Sequence, residues 1–270
     1  MVREPCGAGC ALLARRRALF AYVVQGRHIG RPVVTVLCYD PIRTESEHQR
    51  LARCVLLRSP PLAPMTHPYE AFLDSILDGD RRRARDCARQ VFEQHGVVFL
   101  YEKVVQPALH EVGERWFASR ITVADEHLAT ATAQSAVAAL YPLFRWPPRG
   151  PRAIVACAQG EHHDFGARMV ADLLALDGWD ERFLGADVPV EDLVRKVREI
   201  GPKMVAISVT LSHHLRMAET AIRLVRGALP AAKILIGGRA MVAPGVYESL
   251  GADGVARSGS EAVEVARGWK

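Results

Sequence analysis

The chain has 270 residues, 49% hydrophobic and 24% charged, which is enough for about two domains of ~100–200 residues with sizeable cores. Its formal charge of +5 sits in residues 1–64, with ten Arg against four acids; residues 65–270 are near neutral, which excludes a phosphate-neutralising face there. No run of about 18 apolar residues occurs, so no membrane span is expected. The six cysteines hold one close pair, Cys6 and Cys10, with no second pair at zinc-finger spacing, and read as reduced thiols of a cytoplasmic protein.

Residues 1–64 mix Arg, Gly and Pro with little sustained period and end in Ser59-Pro60-Pro61-Leu62-Ala63-Pro64, a linker composition. They read as a disordered extension or as non-native sequence added by an upstream start, with a short strand at Pro32–Cys38. Residues 65–143 read as a four-helix bundle: Pro68–Leu77, Arg81–Gln94, Val97–Ser119 and Val123–Tyr141. The third places Leu100, Val104, Val105, Leu109, Val112 and Trp116 near one face. Thr122 and Asp125 form a near capping box for the fourth, and Pro142 ends it. A second linker, Trp146–Gly150, follows.

Residues 151–270 alternate strand and helix. Strands are expected at Ala153–Ala158, Arg182–Gly185, Met204–Thr210, Lys233–Ile236 and Gly254–Arg257. Helices are expected at Ala167–Leu176, Val190–Ile200, Leu215–Leu229, Val246–Leu250 and Glu261–Arg267. Continuous apolar strands with helices between them predict a Rossmann-like (flavodoxin-like) parallel sheet covered on both faces. Ligands of such α/β folds sit beyond the carboxyl ends of the strands.

After the first of these strands stands Glu161-His162-His163-Asp164-Phe165-Gly166: an acid, a His two residues on, and a Gly three further. Forty-one residues separate Gly166 from Ser208-Val209-Thr210, and 26 more separate Thr210 from Gly237-Gly238. The trio resembles the motif of base-off, His-on corrinoid proteins across the whole C-terminal domain. The resemblance implies that His163 is the lower cobalt ligand, that Glu161 with Ser208 behind it orients the ring, and that Gly166, Ser208, Thr210, Gly237 and Gly238 line the site of the cofactor's nucleotide tail. Imidazole suits such a metal, and a carboxylate behind it fixes its tautomer. Family members often carry Asp and Leu where Glu161 and Thr210 stand. His162, His213 and His214 read as loop or helix-start residues near the pocket mouth.

Upstream, Trp116 is followed after nine residues by Glu126-His127. With the downstream motif, this is similar to the CarH/LitR-type adenosylcobalamin photoreceptors. That likeness implies that Trp116 caps the adenosyl group, Glu126 binds it, and His127 becomes the upper ligand after light. A Trp face suits stacking on adenine. Residues 1–64 lack the MerR-type helix-turn-helix of those repressors, so no direct DNA binding is expected. The chain resembles stand-alone photocobilin-like members, which implies a homo-oligomer, a protein signalling partner and, as a second chromophore, biliverdin. A light sensor with no enzymatic activity is therefore the expected function; a corrinoid carrier for methyl transfer, which shares the two-domain layout, is the alternative. Room for the substrate barrel of a cobalamin mutase is absent.

Overall fold

The computed structural model describes residues 20–28, 31–39, 67–242 and 249–270. They fall in two units, Met1–Pro64 and Met65–Lys270. In the first, β1 (Phe20–His28) and β2 (Arg31–Tyr39) pair antiparallel, from Phe20 opposite Tyr39 to His28 opposite Arg31. The strand expected at Pro32–Cys38 lies within β2. The reading of little regular structure missed β1, where the run Tyr22-Val23-Val24 favours a strand once Val33–Leu37 supplies its backbone partners. The Pro-rich segment 59–64 lies outside the described residues, as does most of the helix expected at Val246–Leu250.

The second unit opens with four helical rods. α1 (Pro68–Leu77) carries Pro at its first turn, where no N–H is needed. α2 (Arg81–Phe99) is capped by Asp80, whose carboxylate accepts from the Arg82 and Arg83 amides at 3.0 Å. The rod breaks at Gly96, where φ is +82°, so the third rod starts at Val97 as the periodicity predicts. It runs through a π-helical turn, Leu100–Val105, into α3 (Gln106–Phe117). α4 (Val123–Ala138) is shorter than expected, with Tyr141–Leu143 in a separate 3₁₀ turn. Phe72, Ile76, Ala88, Leu100, Val104, Val105, Ala108, Ala129 and Ala133 are fully buried between the rods. The alanines of α4 let the rods approach closely.

The α/β part holds β3 (Arg152–Cys157), α5 (Phe165–Leu176), β4 (Asp180–Gly185), α6 (Val190–Ile200), β5 (Met204–Ser208), α7 (Leu215–Ala228), β6 (Lys233–Gly237), β7 (Gly254–Ala256) and α8 (Gly259–Arg267). The five strands are parallel in the order β4-β3-β5-β6-β7, the flavodoxin-like order. Alternation along β3 explains the two layers. Ala153, Val155 and Cys157 join α5 and α8 in one core; Ile154 and Ala156 join α6 and α7 in the other. Chain order reverses between β3 and β5, so their carboxyl ends diverge and leave a crevice.

The bundle rests on α5. Phe165, Met169 and Leu173 of that helix belong to the bundle core. Asp172 beside them accepts from the Tyr101 and Tyr141 hydroxyls at 2.7 and 3.2 Å. Burial pushes its carboxyl up to about 6, although both tyrosines and Arg168 favour the ionised form; Glu181 adds to the rise. A carboxyl raised above its unfolded value near 3.8 binds its proton more tightly when folded, so this group's contribution to stability is present at low pH and falls as pH rises through about 4 to 6. Urea unfolding at a series of pH values is expected to show that fall in the native chain and to show it reduced in Asp172→Asn.

Candidate functional site

The site grows from the turn after β3. The Ala158 amide donates to the Ser208 carbonyl at 3.0 Å and the Glu161 amide to the Ala158 carbonyl at 2.9 Å, which tightens the loop against β5. Asp187, at the end of β4, clamps it from the other side. Its carboxylate accepts from the Gly160 amide at 2.7 Å, and its own amide donates to the Glu161 carbonyl at 2.8 Å. Asp187 holds a φ of +45° to do so, a strained conformation for a residue with a Cβ.

This loop drives the Glu161 side chain fully out of solvent. Five donors converge on it. Oε1 accepts from the His163 amide at 3.0 Å and His163 Nδ1 at 2.5 Å; Oε2 accepts from the Thr210 and Leu211 amides at 2.9 Å each and from His214 Nδ1 at 3.1 Å. Burial opposes the charge, but the bonds from His163, Leu211 and His214 outweigh it and hold the carboxyl well below the usual range. An ionised carboxylate only accepts, so each imidazole presents N–H at Nδ1. In the neutral ring of His163 the lone pair is then at Nε2, and 53% of that side chain's surface is open. The bond to Glu161 raises the ring's proton affinity against partial burial, with help from the charges of Glu161 and Glu126. A single strong σ-donor nitrogen is thus aimed out of the crevice.

Ser208, expected behind Glu161, gives it no side-chain bond among the described residues; His214, assigned no role from the sequence, does. Thr210 acts through its amide. The glycines divide into two kinds. A Cβ at Gly237 would lie 2.9 Å from the Ala256 carbonyl oxygen, and one at Gly238, where φ is +97°, would lie 2.3 Å from that of Val209. Their close approach is to the protein's own backbone, where the sequence reading placed a tail. At Gly166 a Cβ would meet nothing within 4 Å. Internal packing does not require that glycine, as suits a position kept clear for a ligand. Beneath the loop, the Cys157 thiol is buried and pushed up to about 12 by desolvation, then by the charges of Asp164 and Glu161, which leaves it inert.

The residues expected over the other face sit at the α3–α4 turn. Trp116 ends α3, with the Ser119 and Arg120 amides returning to the Trp116 and Arg115 carbonyls at 2.8 Å. Thr122 and Asp125 form the capping box that starts α4. Glu126 accepts from the Thr130 hydroxyl at 2.8 Å, and His127 Nε2 lies 3.5 Å from the Glu126 carboxylate with 74% of its side chain exposed.

Comparison with known proteins matches this geometry. Residues 151–267 match the family described as B12 binding domain, and residues 68–141 match a second family of the same description. The chain is 34% identical over 142 residues to the HTH-type transcriptional repressor CarA of Myxococcus xanthus, covering 52% of this chain and 46% of that protein. It is 32% identical over 163 residues to CarH of the same organism, covering 60% and 54%. The dimethylamine corrinoid protein of Methanosarcina barkeri is 27% identical over 173 residues, covering 62% and 81%. The structure of the Methanosarcina barkeri monomethylamine corrinoid protein superposes with a TM-score of 0.65 at 23% identity, covering 74% of this chain and 97% of that one.

The chain is therefore a B12-binding-domain protein with a helical region before a parallel-sheet cobalamin-binding fold. It is related both to the CarA and CarH repressors and to corrinoid proteins, each likeness covering part of the chain, and it spans about half the length of the repressors it matches. Among the described residues no helix is long and apolar enough to cross a membrane.

The residues fit such a cofactor. Among the described residues no cluster of three or more His, Cys, Asp or Glu is placed to hold a metal ion. A corrinoid brings most of its cobalt's ligands with it, and His163 Nε2, beside the clear space at Gly166, would hold it as a single nitrogen donor. Gly238→Ala is expected to destabilise the chain by about 2–4 kcal/mol, through a backbone clash added to an unfavourable φ, as measured by denaturant unfolding.

Proposed function

We propose that this chain is a light sensor that binds adenosylcobalamin through His163 and signals without enzymatic activity. The observation that carries the reading is the group at the α3–α4 turn, where Trp116 stands near the end of α3 and Glu126 and His127 near the start of α4. That turn leaves apolar surface uncovered: Trp116 is 44% exposed and Phe117 82%. The cofactor supplies a cobalt–carbon bond that visible light breaks. In the chain itself, His163 offers Nε2 from below and Trp116 offers an aromatic face for adenine. Glu126 offers a carboxylate to the adenosyl hydroxyls and amine. His127, 74% exposed and 3.5 Å from the Glu126 carboxylate, would be able to turn toward the corrin as an upper ligand. Loss of the adenosyl group uncovers the Trp116 surface, and the proposed output is a change in self-association or in binding a protein partner. Repression through DNA is not carried over, because the likeness covers about half of CarA and CarH. The proposal places the protein in the cytoplasm and is confined to the corrinoid, leaving biliverdin aside.

Breadth of likeness supports a second reading, a corrinoid carrier for methyl transfer. The chain covers 81% of the dimethylamine corrinoid protein against 54% of CarH, and in length this is the better match. A methyl group, however, gives Trp116 and Glu126 nothing to hold.

Absorbance of the protein loaded with adenosylcobalamin in darkness and again after green light separates the two. The sensor predicts a stable dark complex that converts to a bis-His spectrum, with the conversion lost in His127→Ala. Glu126→Gln is expected to weaken adenosylcobalamin about 10-fold, the value of one charged hydrogen bond, and to leave methylcobalamin unchanged. Equal affinity for both cofactors and an aquo-type photoproduct would establish the carrier instead.

A further inference from the structure

We infer that His214 is a positioning residue for the cobalt ligand, acting on His163 through the shared carboxylate of Glu161. The inference rests on the reading of His163 as the axial ligand and deepens it.

The two oxygens of Glu161 do different work. Oε1 faces His163 alone, accepting its amide and its Nδ1–H. Oε2 faces the β5 side, accepting the Thr210 and Leu211 amides and His214 Nδ1. The two amides belong to the main chain, and any residue at 210 or 211 supplies them. His214 is the one side-chain donor on that oxygen among the described residues, so it is where sequence can adjust the carboxylate without rebuilding the fold. A carboxylate carries one negative charge over both oxygens. A donor on Oε2 fixes the plane of the carboxylate, and that plane aims Oε1 at His163 Nδ1–H and so holds the direction of Nε2.

The ring of His214 is held in place by several features. It follows the 3₁₀ turn Ser212–His214, with its amide bonded to the Leu211 carbonyl at 3.0 Å. Its edge packs on the His213 ring with centroids 4.0 Å apart, and 14% of its side chain is exposed. Room for it depends on Gly160. A Cβ there would stand 3.1 and 3.2 Å from His214 Cδ2 and Nε2, and the φ of +86° at that residue suits glycine. The loop bearing His163 is thus shaped to admit a second imidazole behind its carboxylate. A methyl at position 214 would leave Oε2 with the two main-chain amides alone and open the space of the ring to water, which neither fixes the plane of the carboxylate nor keeps solvent from a fully buried charge.

The test compares the native chain with His214→Ala, His214→Asn and His163→Ala, each titrated with methylcobalamin and followed by the His-on and His-off absorbance bands, alongside apo-protein thermal unfolding. The Asn amide replaces Nδ1–H at nearly the same place. His214→Ala is expected to raise the dissociation constant about 10-fold and shift bound cofactor toward the His-off spectrum, with a small fall in the unfolding midpoint, and His214→Asn is expected to restore most of all three. A native His-on spectrum and affinity in His214→Ala, with His163→Ala spectrally altered, would sink the role of His214 alone. Equal loss in His214→Ala and His214→Asn with a lowered unfolding midpoint would reduce His214 to packing and overturn the inference. If His163→Ala matches the native spectrum, the ligand reading itself is wrong and His214 falls with it.

Discussion

A carboxylate removed wholly from water is the constraint on which the rest of this site depends. An unpaired buried charge of this kind costs several kcal/mol or more, and Glu161 escapes that cost because five N–H groups meet it. Two come from its own loop and three from the segment after β5. The loop cannot shift without stranding the charge, and the β5 end cannot shift without withdrawing three of its donors. Asp187 extends the same tie to β4 by holding the Gly160 amide and the Glu161 carbonyl. Three strand ends are therefore locked around one ring, His163. Rigid aim at a metal needs that kind of closure, since a half-exposed imidazole on an untethered loop would sample many rotamers.

Above this crevice the bundle is joined to the sheet by shared core rather than by a surface contact. Phe165, Met169 and Leu173 face the bundle from the helix that begins two residues after His163, while Ala167, Ala171 and Leu174 of the same helix face the sheet. Polar ties reinforce this at the edges: Asp172 with two tyrosines, Glu102 accepting the Ser260 amide at 2.7 Å, and Arg239 on Glu114 at 2.6 Å. One helix thus carries both the ligand loop and the seat of the bundle. Packed side chains run from the helix after His163 into the bundle core, the kind of contiguous element that can link a ligand change to a change of surface. A sensor would use this coupling to expose the Trp116 face, and a carrier would use it to admit a partner's active site. The architecture suits both, and the proposed roles of the residues at the turn are what separate the two readings.

Much of this was legible in the sequence because it depends on short-range chemistry. Four helical rods and the buried strands β3, β5 and β6 follow from apolar periods of 3.6 and from continuous apolar runs, and even the break between the second and third rods follows from Gly96. The acid, His and Gly after β3 are spaced by the chain's local geometry, so Glu161 and His163 could be paired across two residues before any fold was known. Thr122 and Asp125 cap α4 as a local pattern predicts. The strand at β1 was missed because its pairing partner, not its own alternation, makes it regular.

The tertiary structure decided the rest. His214 lies 53 residues from Glu161, and the two meet only because β3 and β5 pair in parallel with Cys157 opposite Ser208. Nothing in the local pattern Ser-His-His-Leu distinguishes a ring that donates to a buried carboxylate from one at the surface. The pairing of β5 with β6, Ser208 opposite Gly237, brings Val209 against Gly238 and gives that glycine a structural reason. Spacing along the chain sets what residues can do to near neighbours. Donors gathered on a buried charge come from separate strands, and register and layer order choose them.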